Sequence, residues 1–123
     1  MSAPLSAADL RFVNSVAARR FAATEPGTVD EDALEAALAA ADGGAPFERS
    51  AALATALLLR RAFSSAALPT ALLVLHCALA LEGFVLIAPQ GVTAGMIRGV
   101  ARDGDAATLA RWLEDRAVPS ASS

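Results

Sequence analysis

The chain has no lysine and no tyrosine, and it carries single copies of cysteine, histidine, tryptophan and asparagine. Each shortage narrows what it can do. One cysteine, Cys77, closes no intramolecular disulfide and builds no cysteine-rich zinc site. One histidine, His76, leaves a metal centre or a catalytic relay short of ligands. Cations are outnumbered: ten arginines against thirteen acids give a formal net charge of −3 and a pI near 5.0. That balance argues against a direct nucleic-acid-binding face, which needs a basic stripe. The opening Met-Ser-Ala-Pro-Leu-Ser lacks a basic segment followed by an apolar run, so no secretory signal is read and the cytoplasm is the expected compartment.

What is present is alanine and leucine. The chain of 123 residues is 55% hydrophobic with mean hydropathy +0.48, and about a quarter of it is alanine. Alanine is the best helix former, so the expected fold class is all-α. The length suits one domain spanning 1–123, with a core over about 6–117 and a flexible Ser/Ala-rich tail from Val118. The all-arginine cation set suggests a GC-rich, bacterial coding sequence. Residues 62–81 contain no acid and no arginine and reach membrane-spanning length. Ser64, Ser65, Pro69 and His76 interrupt them, which reads as a helix–loop–helix junction outside any membrane.

Six helices follow from the pattern. The first covers 6–23, opened by Ser6 and Asp9 as a capping pair, with Leu10, Val13, Val16, Ala17 and Phe21 on one face. Glu25-Pro26-Gly27 is a turn. Thr28 and Asp30 both offer N-cap oxygens to a second helix with Leu34, Ala37, Leu38 and Ala41 on its stripe. Seven acids fall from Glu25 to Glu48, read mainly as a solvated face and otherwise as a docking surface for a basic partner. A third helix spans 47–61, and Arg60 and Arg61 suit its negative end. A loop covers 62–68. The fourth helix, 69–82, starts with Pro69 at its first position; its apolar body, about 70–82, is expected at the bundle's centre. Gly83 ends it, and Phe84 to Ile87 is an extended link. A fifth helix, 92–102, contains Gly95 and Gly99, which would permit close helix contact. Asp103-Gly104-Asp105 turns the chain into a sixth helix, 106–116, with Leu109, Trp112 and Leu113 inward.

The stretch Arg61-Ala-Phe-Ser-Ser-Ala-Ala-Leu-Pro-Thr-Ala-Leu72 resembles the active-site loop of Fic/Doc proteins, His-x-Phe-x-Asp-Gly-Asn-Lys-Arg-Thr-Ala-Leu. Phe63 and Thr70-Ala71-Leu72 match without a gap. Arg61 falls in the histidine slot, Ser65 in the acid slot and Ala66 in the glycine slot. Ala67, Leu68 and Pro69 replace Asn, Lys and Arg. Weaker likenesses run from about 10 to 117: Pro26-Gly27-Thr28-Val29-Asp30 with Leu34-Glu35-Ala36-Ala37-Leu38, then Ala51 to Leu59, Leu81-Glu82-Gly83-Phe84, and Arg102 to Leu113. The resemblance implies a Fic/Doc-like helical bundle. In active relatives the histidine is the base, the acid holds Mg²⁺, and the remaining loop residues cradle nucleotide phosphates.

The substitutions remove that chemistry. An arginine does not yield its proton near neutral pH. Serine lacks the anionic oxygen that Mg²⁺ prefers. Leu68 and Pro69 carry no charge to stabilise a phosphoryl transition state. The expectation is therefore a protein with no catalytic residues and no cofactor or metal. It would act by binding a partner, which the resemblance makes a small antitoxin- or regulator-like, DNA-binding protein docking an amphipathic helix near the loop. The alternatives are residual nucleotide binding or transfer, with Arg60 and Arg61 as anion candidates, and a self-associating structural module. Arg60 and Arg61 are otherwise a solvated charge pair at a helix end. His76 is read as a satisfied core histidine, Ser64 and Ser65 as loop residues, and Trp112 as a core anchor.

Overall fold

A computed structural model describes residues 5–21, 28–103 and 105–120. Among the described residues there are six helices and a two-stranded ribbon: α1 (Ala7–Phe21), α2 (Glu31–Ala40), α3 (Pro46–Leu59), α4 (Ala67–Leu81), β1 (Phe84–Leu86), α5 (Gln90–Asp103), α6 (Ala106–Arg116) and β2 (Ala117–Pro119). The all-α expectation holds. Among the described residues no helix is long and apolar enough to cross a membrane. The expected turn at 25–27 and Gly104 lie outside the described residues.

The helices begin where side-chain oxygens meet orphan N–H groups. The Ser6 N–H donates to Asp9 Oδ2 at 2.9 Å and the Asp9 N–H to Ser6 Oγ at 3.1 Å, a reciprocal cap that holds the Asp9 carboxyl below its usual pKa. Asp30 caps α2 by accepting from the Ala33 N–H at 3.0 Å, while Thr28 takes no capping role. Asp105 caps α6 through the Thr108 N–H and hydroxyl. α3 starts at Pro46, and Glu48 Oε1 accepts from the Ala45 N–H at 2.8 Å.

Two apolar clusters share one wall. The first gathers Leu75 and Leu79 of α4, Ile97 of α5, and Leu109 and Leu113 of α6 around Ala51 and Ala54 of α3. The second gathers Leu10, Leu34 and Phe63 around Leu53 and Leu57 of α3 and Val74 of α4. α4 is central, as its apolar sequence requires, and α3 shares that position by packing against α2, α4, α5 and α6. Alanines at 51, 54 and 56 leave room for neighbours on several sides of α3. The Arg49–Glu82 ion pair ties the first turn of α3 to the C-cap of α4.

Three sequence expectations change. The chain from Val118 is not all tail: Val85 pairs with Val118 and Leu86 with Ala117, and the Ser120 N–H donates to the Gly83 carbonyl at 2.8 Å. Residues 121–123 lie outside the described residues. α4 begins at Ala67, so Pro69 is its third residue. The missing N–H costs nothing there either, because the first four N–H groups of a helix lack an intrahelical acceptor. Gly95 and Gly99 do not mediate close packing. Among the described residues, a Cβ at Gly95 would meet nothing within 4 Å, and one at Gly99 would meet only Arg102 at 4.0 Å.

Candidate functional site

The segment that carries the family resemblance is built by the C-terminal end of α3. Arg60 is the C-cap and Arg61 the next residue, with φ +54°. The Arg61 N–H donates to the Leu58 carbonyl at 3.3 Å and the Ala62 N–H to the Leu57 carbonyl at 3.2 Å. This is the paired bonding that ends helices on a left-handed residue, a place glycine usually fills. Arg61 is therefore outside the helix. The expected solvated pair at a helix terminus becomes one capping arginine and one left-handed arginine, both exposed.

The loop is then fastened from two sides. Val29 and Phe63 form an antiparallel bridge. The Asp30 N–H donates to the Ala62 carbonyl at 2.8 Å and the Ser64 N–H to the Thr28 carbonyl at 3.1 Å. Ser64 Oγ accepts from the Thr28 N–H at 2.7 Å, so Ser64 is a structural loop residue, as expected. From α1, Asn14 Nδ2 donates to the Ser65 carbonyl at 2.8 Å and to Thr70 Oγ1 at 2.9 Å. Asn14 is 2% exposed and Phe63 3%. Ala66 follows with φ +52° and leads into the first turn of α4.

An open cleft of about 770 Å³ lies beside the loop. Leu58, Leu59, Phe63, Ser64, Ala67 and Ala101 line it together with Arg61, Arg98 and Arg102. Of the sequence-selected positions, the structure thus brings Arg61, Phe63 and Ala67 to the cleft. Arg60, Ser65, Ala66, Leu68 and Pro69 do not line it. Leu68 packs against the first core cluster. The chemistry on offer is cationic and hydrogen-bonding, because Arg61 cannot act as a general base.

His76 and Cys77 sit on α4, half-buried. The reading of His76 as satisfied does not hold: its Nε2 is buried with no hydrogen-bond partner among the described residues. Burial holds its pKa below the ordinary value and pushes the Cys77 thiol up. Trp112 is half-buried, packs against the first core cluster, and carries the Arg116 guanidinium 4.9 Å from its ring centre.

Sequence reasoning gave no site role to Asn14, Arg98 or Arg102. Asn14 had a signal: it is the chain's single asparagine, placed four residues after Leu10 and three before Ala17 on the apolar stripe. Arg98 and Arg102 had a weaker one, the i, i+4 spacing that puts two cations on one helix face. Comparison with protein-family models, curated proteins and solved structures finds no match to this chain.

Proposed function

We propose that the chain is a catalytically inactive Fic/Doc-like protein that works by binding another protein. The observation that carries the binding role is the distribution of exposed apolar side chains. Seven large ones are exposed among the described residues, and five of them, Leu81, Val85, Ile87, Val92 and Val118, belong to the end of α4, the ribbon, the link after β1 and the start of α5. Val85 and Val118 are cross-strand partners, and Ile87 follows Val85 by two residues, which puts all three on one face. Gathered apolar surface of this kind marks interaction sites, whereas scattered single residues do not. Covering it releases about 25 cal/mol per Å².

The inactive half of the reading rests on the loop. Ala66, in the family's glycine slot, holds the left-handed backbone that glycine adopts without strain. The slot keeps a glycine's conformation while Arg61 and Ser65 replace the base and the acid. By resemblance the partner is a small antitoxin- or regulator-like, DNA-binding protein that contributes an amphipathic helix. The acids of α2 would steer a basic segment of it. The resemblance implies a groove near the loop, whereas the exposed apolar surface favours docking at the ribbon end.

Co-expression of the tagged chain with the protein encoded beside its own gene tests this. A stable complex is expected, lost in Val85→Ser/Ile87→Ser/Val118→Ser with helical content unchanged. Self-association is the second reading, favoured by the sheet's having two strands only among the described residues, since edge strands pair readily with a second copy. In that case light scattering on the chain alone gives twice the monomer mass, and the triple variant returns it to one. A chain that stays monomeric and holds no partner overturns both.

A further inference from the structure

We propose that the cleft bounded by Arg61, Arg98 and Arg102 binds a small anion carrying at least two negative charges. This does not rest on the protein-binding reading, and each can fail without the other. The cleft, at about 770 Å³, falls within the range of about 300–1,000 Å³ typical of small-ligand sites. Its walls come from four parts of the chain: the end of α3, the loop, the first residue of α4, and one face of α5. Two of the three arginines therefore lie outside the loop that carries the family resemblance.

The charge arrangement calls for a counter-ion. Arg98 and Arg102 are four residues apart on one helix face, where like charges repel. No acid lines the cleft among the described residues. Within that set neither Arg61 nor Arg98 pairs with a carboxylate, and Arg102 reaches only its exposed neighbour Asp103 at 3.8 Å. The chain as a whole is acidic, with a net charge of −3, so three of its ten arginines meeting here is a local reversal of sign.

Arg61 adds a second pointer. It occupies a left-handed position that glycine would fill without strain. Glycine would stabilise the turn but remove the guanidinium from the cleft. Guanidinium groups fork onto phosphate or carboxylate oxygens in bidentate pairs. Leu58, Leu59 and Phe63 supply an apolar wall for the ligand's body. The shared chemistry is a compact dianionic or trianionic head, and the two possible heads are separated by experiment.

Calorimetric titration of the full chain with inorganic pyrophosphate, and separately with citrate, is the test. One probe should bind, more weakly as ionic strength rises, and the tighter one identifies the head. Arg98→Glu/Arg102→Glu should weaken binding at least about tenfold. Arg19→Glu/Arg20→Glu makes the same charge change on the exposed face of α1 and should leave affinity within about twofold. All four side chains are exposed, so both variants should retain the wild-type circular dichroism spectrum. Arg61→Gly should weaken binding while raising the thermal midpoint, opposite signs that a purely structural residue would not show. Absence of binding by either probe overturns the proposal. So does equal loss in the two double variants, or no loss in Arg98→Glu/Arg102→Glu.

Discussion

α3 and α4 each end on a left-handed residue, but on different residue types. At the end of α3 the left-handed position holds Arg61, with φ +54°; at the end of α4 it holds Gly83, with φ +90°. Both follow a C-cap whose own N–H donates to carbonyls in the last turn of its helix. After Gly83 the chain enters a ribbon whose outer face is apolar and exposed. After Arg61 it enters a loop tied down by Asn14, Thr28 and Asp30 and flanked by cations. The loop leads into the first turn of α4 and the ribbon leaves its last, so this 15-residue helix, about 22 Å long, separates them. The difference teaches that one end follows local stability rules and the other departs from them where charge is displayed. On the reading given above, the ribbon end holds a protein and the loop end an anion.

The comparison can be broken most forcefully at Asn14. Asn14→Ala removes both Nδ2 hydrogen bonds, one to the loop's Ser65 carbonyl and one to α4, and leaves Thr70 Oγ1, fully buried, without that partner. Denaturant unfolding should show a loss of about 2–3 kcal/mol. A loss below about 0.5 kcal/mol, the level of a neutral surface change, would mean that the loop is held by the bridge to 28–30 alone. Next comes Gly83→Ala, which forces a Cβ into left-handed backbone where space is open but the conformation is not. It should cost about 1–2 kcal/mol. Arg61→Gly is the mirror experiment and should gain about 1 kcal/mol in the same assay. If both substitutions destabilise, Arg61 is structural and the contrast between the ends fails.

A smaller effect sits on α5, which runs from the ribbon end to the cleft. Gly95→Ala should stabilise by up to about 1 kcal/mol, since the added methyl meets nothing and a helix-interior glycine is costly. The smallest concerns pH. The folded pKa of His76 lies below its unfolded value because burial disfavours the charged ring. Above the unfolded value, near 6.5, both states are neutral and this stability is fully present. As pH falls from there towards the folded pKa, the unfolded state binds the proton first and stability declines. Unfolding midpoints of the wild type and His76→Leu should therefore diverge as pH drops below 6.5, and parallel curves would contradict it.

The helices were legible because their signals are local. Ser6 with Asp9, Asp30, Asp105 and Gly83 each act within a few residues of where they stand, and the apolar spacing of α1, α3 and α4 needs no tertiary partner to be read. What was not legible depends on distant segments. Val118 looks like tail until Val85, 33 residues earlier, supplies a strand to pair with. Proline at 69 suits the first or third helical position equally, so it could not fix where α4 starts. The candidate site failed in the same way. Arg61 stood out as a motif position, but the loss of a helical role for it appears only in the backbone. Arg98 and Arg102 join it only when α5 folds beside the end of α3. His76 was expected to find a hydrogen-bond partner, and no local pattern reveals that its Nε2 has none among the described residues.

Hydrogen exchange on the complex recovered by co-expression compares the two ends in one experiment. The account predicts slower exchange, relative to the free chain, in peptides covering 81–92 and 117–119, with residues 61–66 unchanged. Protection confined to 61–66 and to α5 from Arg98 onward, with the ribbon unaffected, would contradict it and move the partner to the arginine cleft.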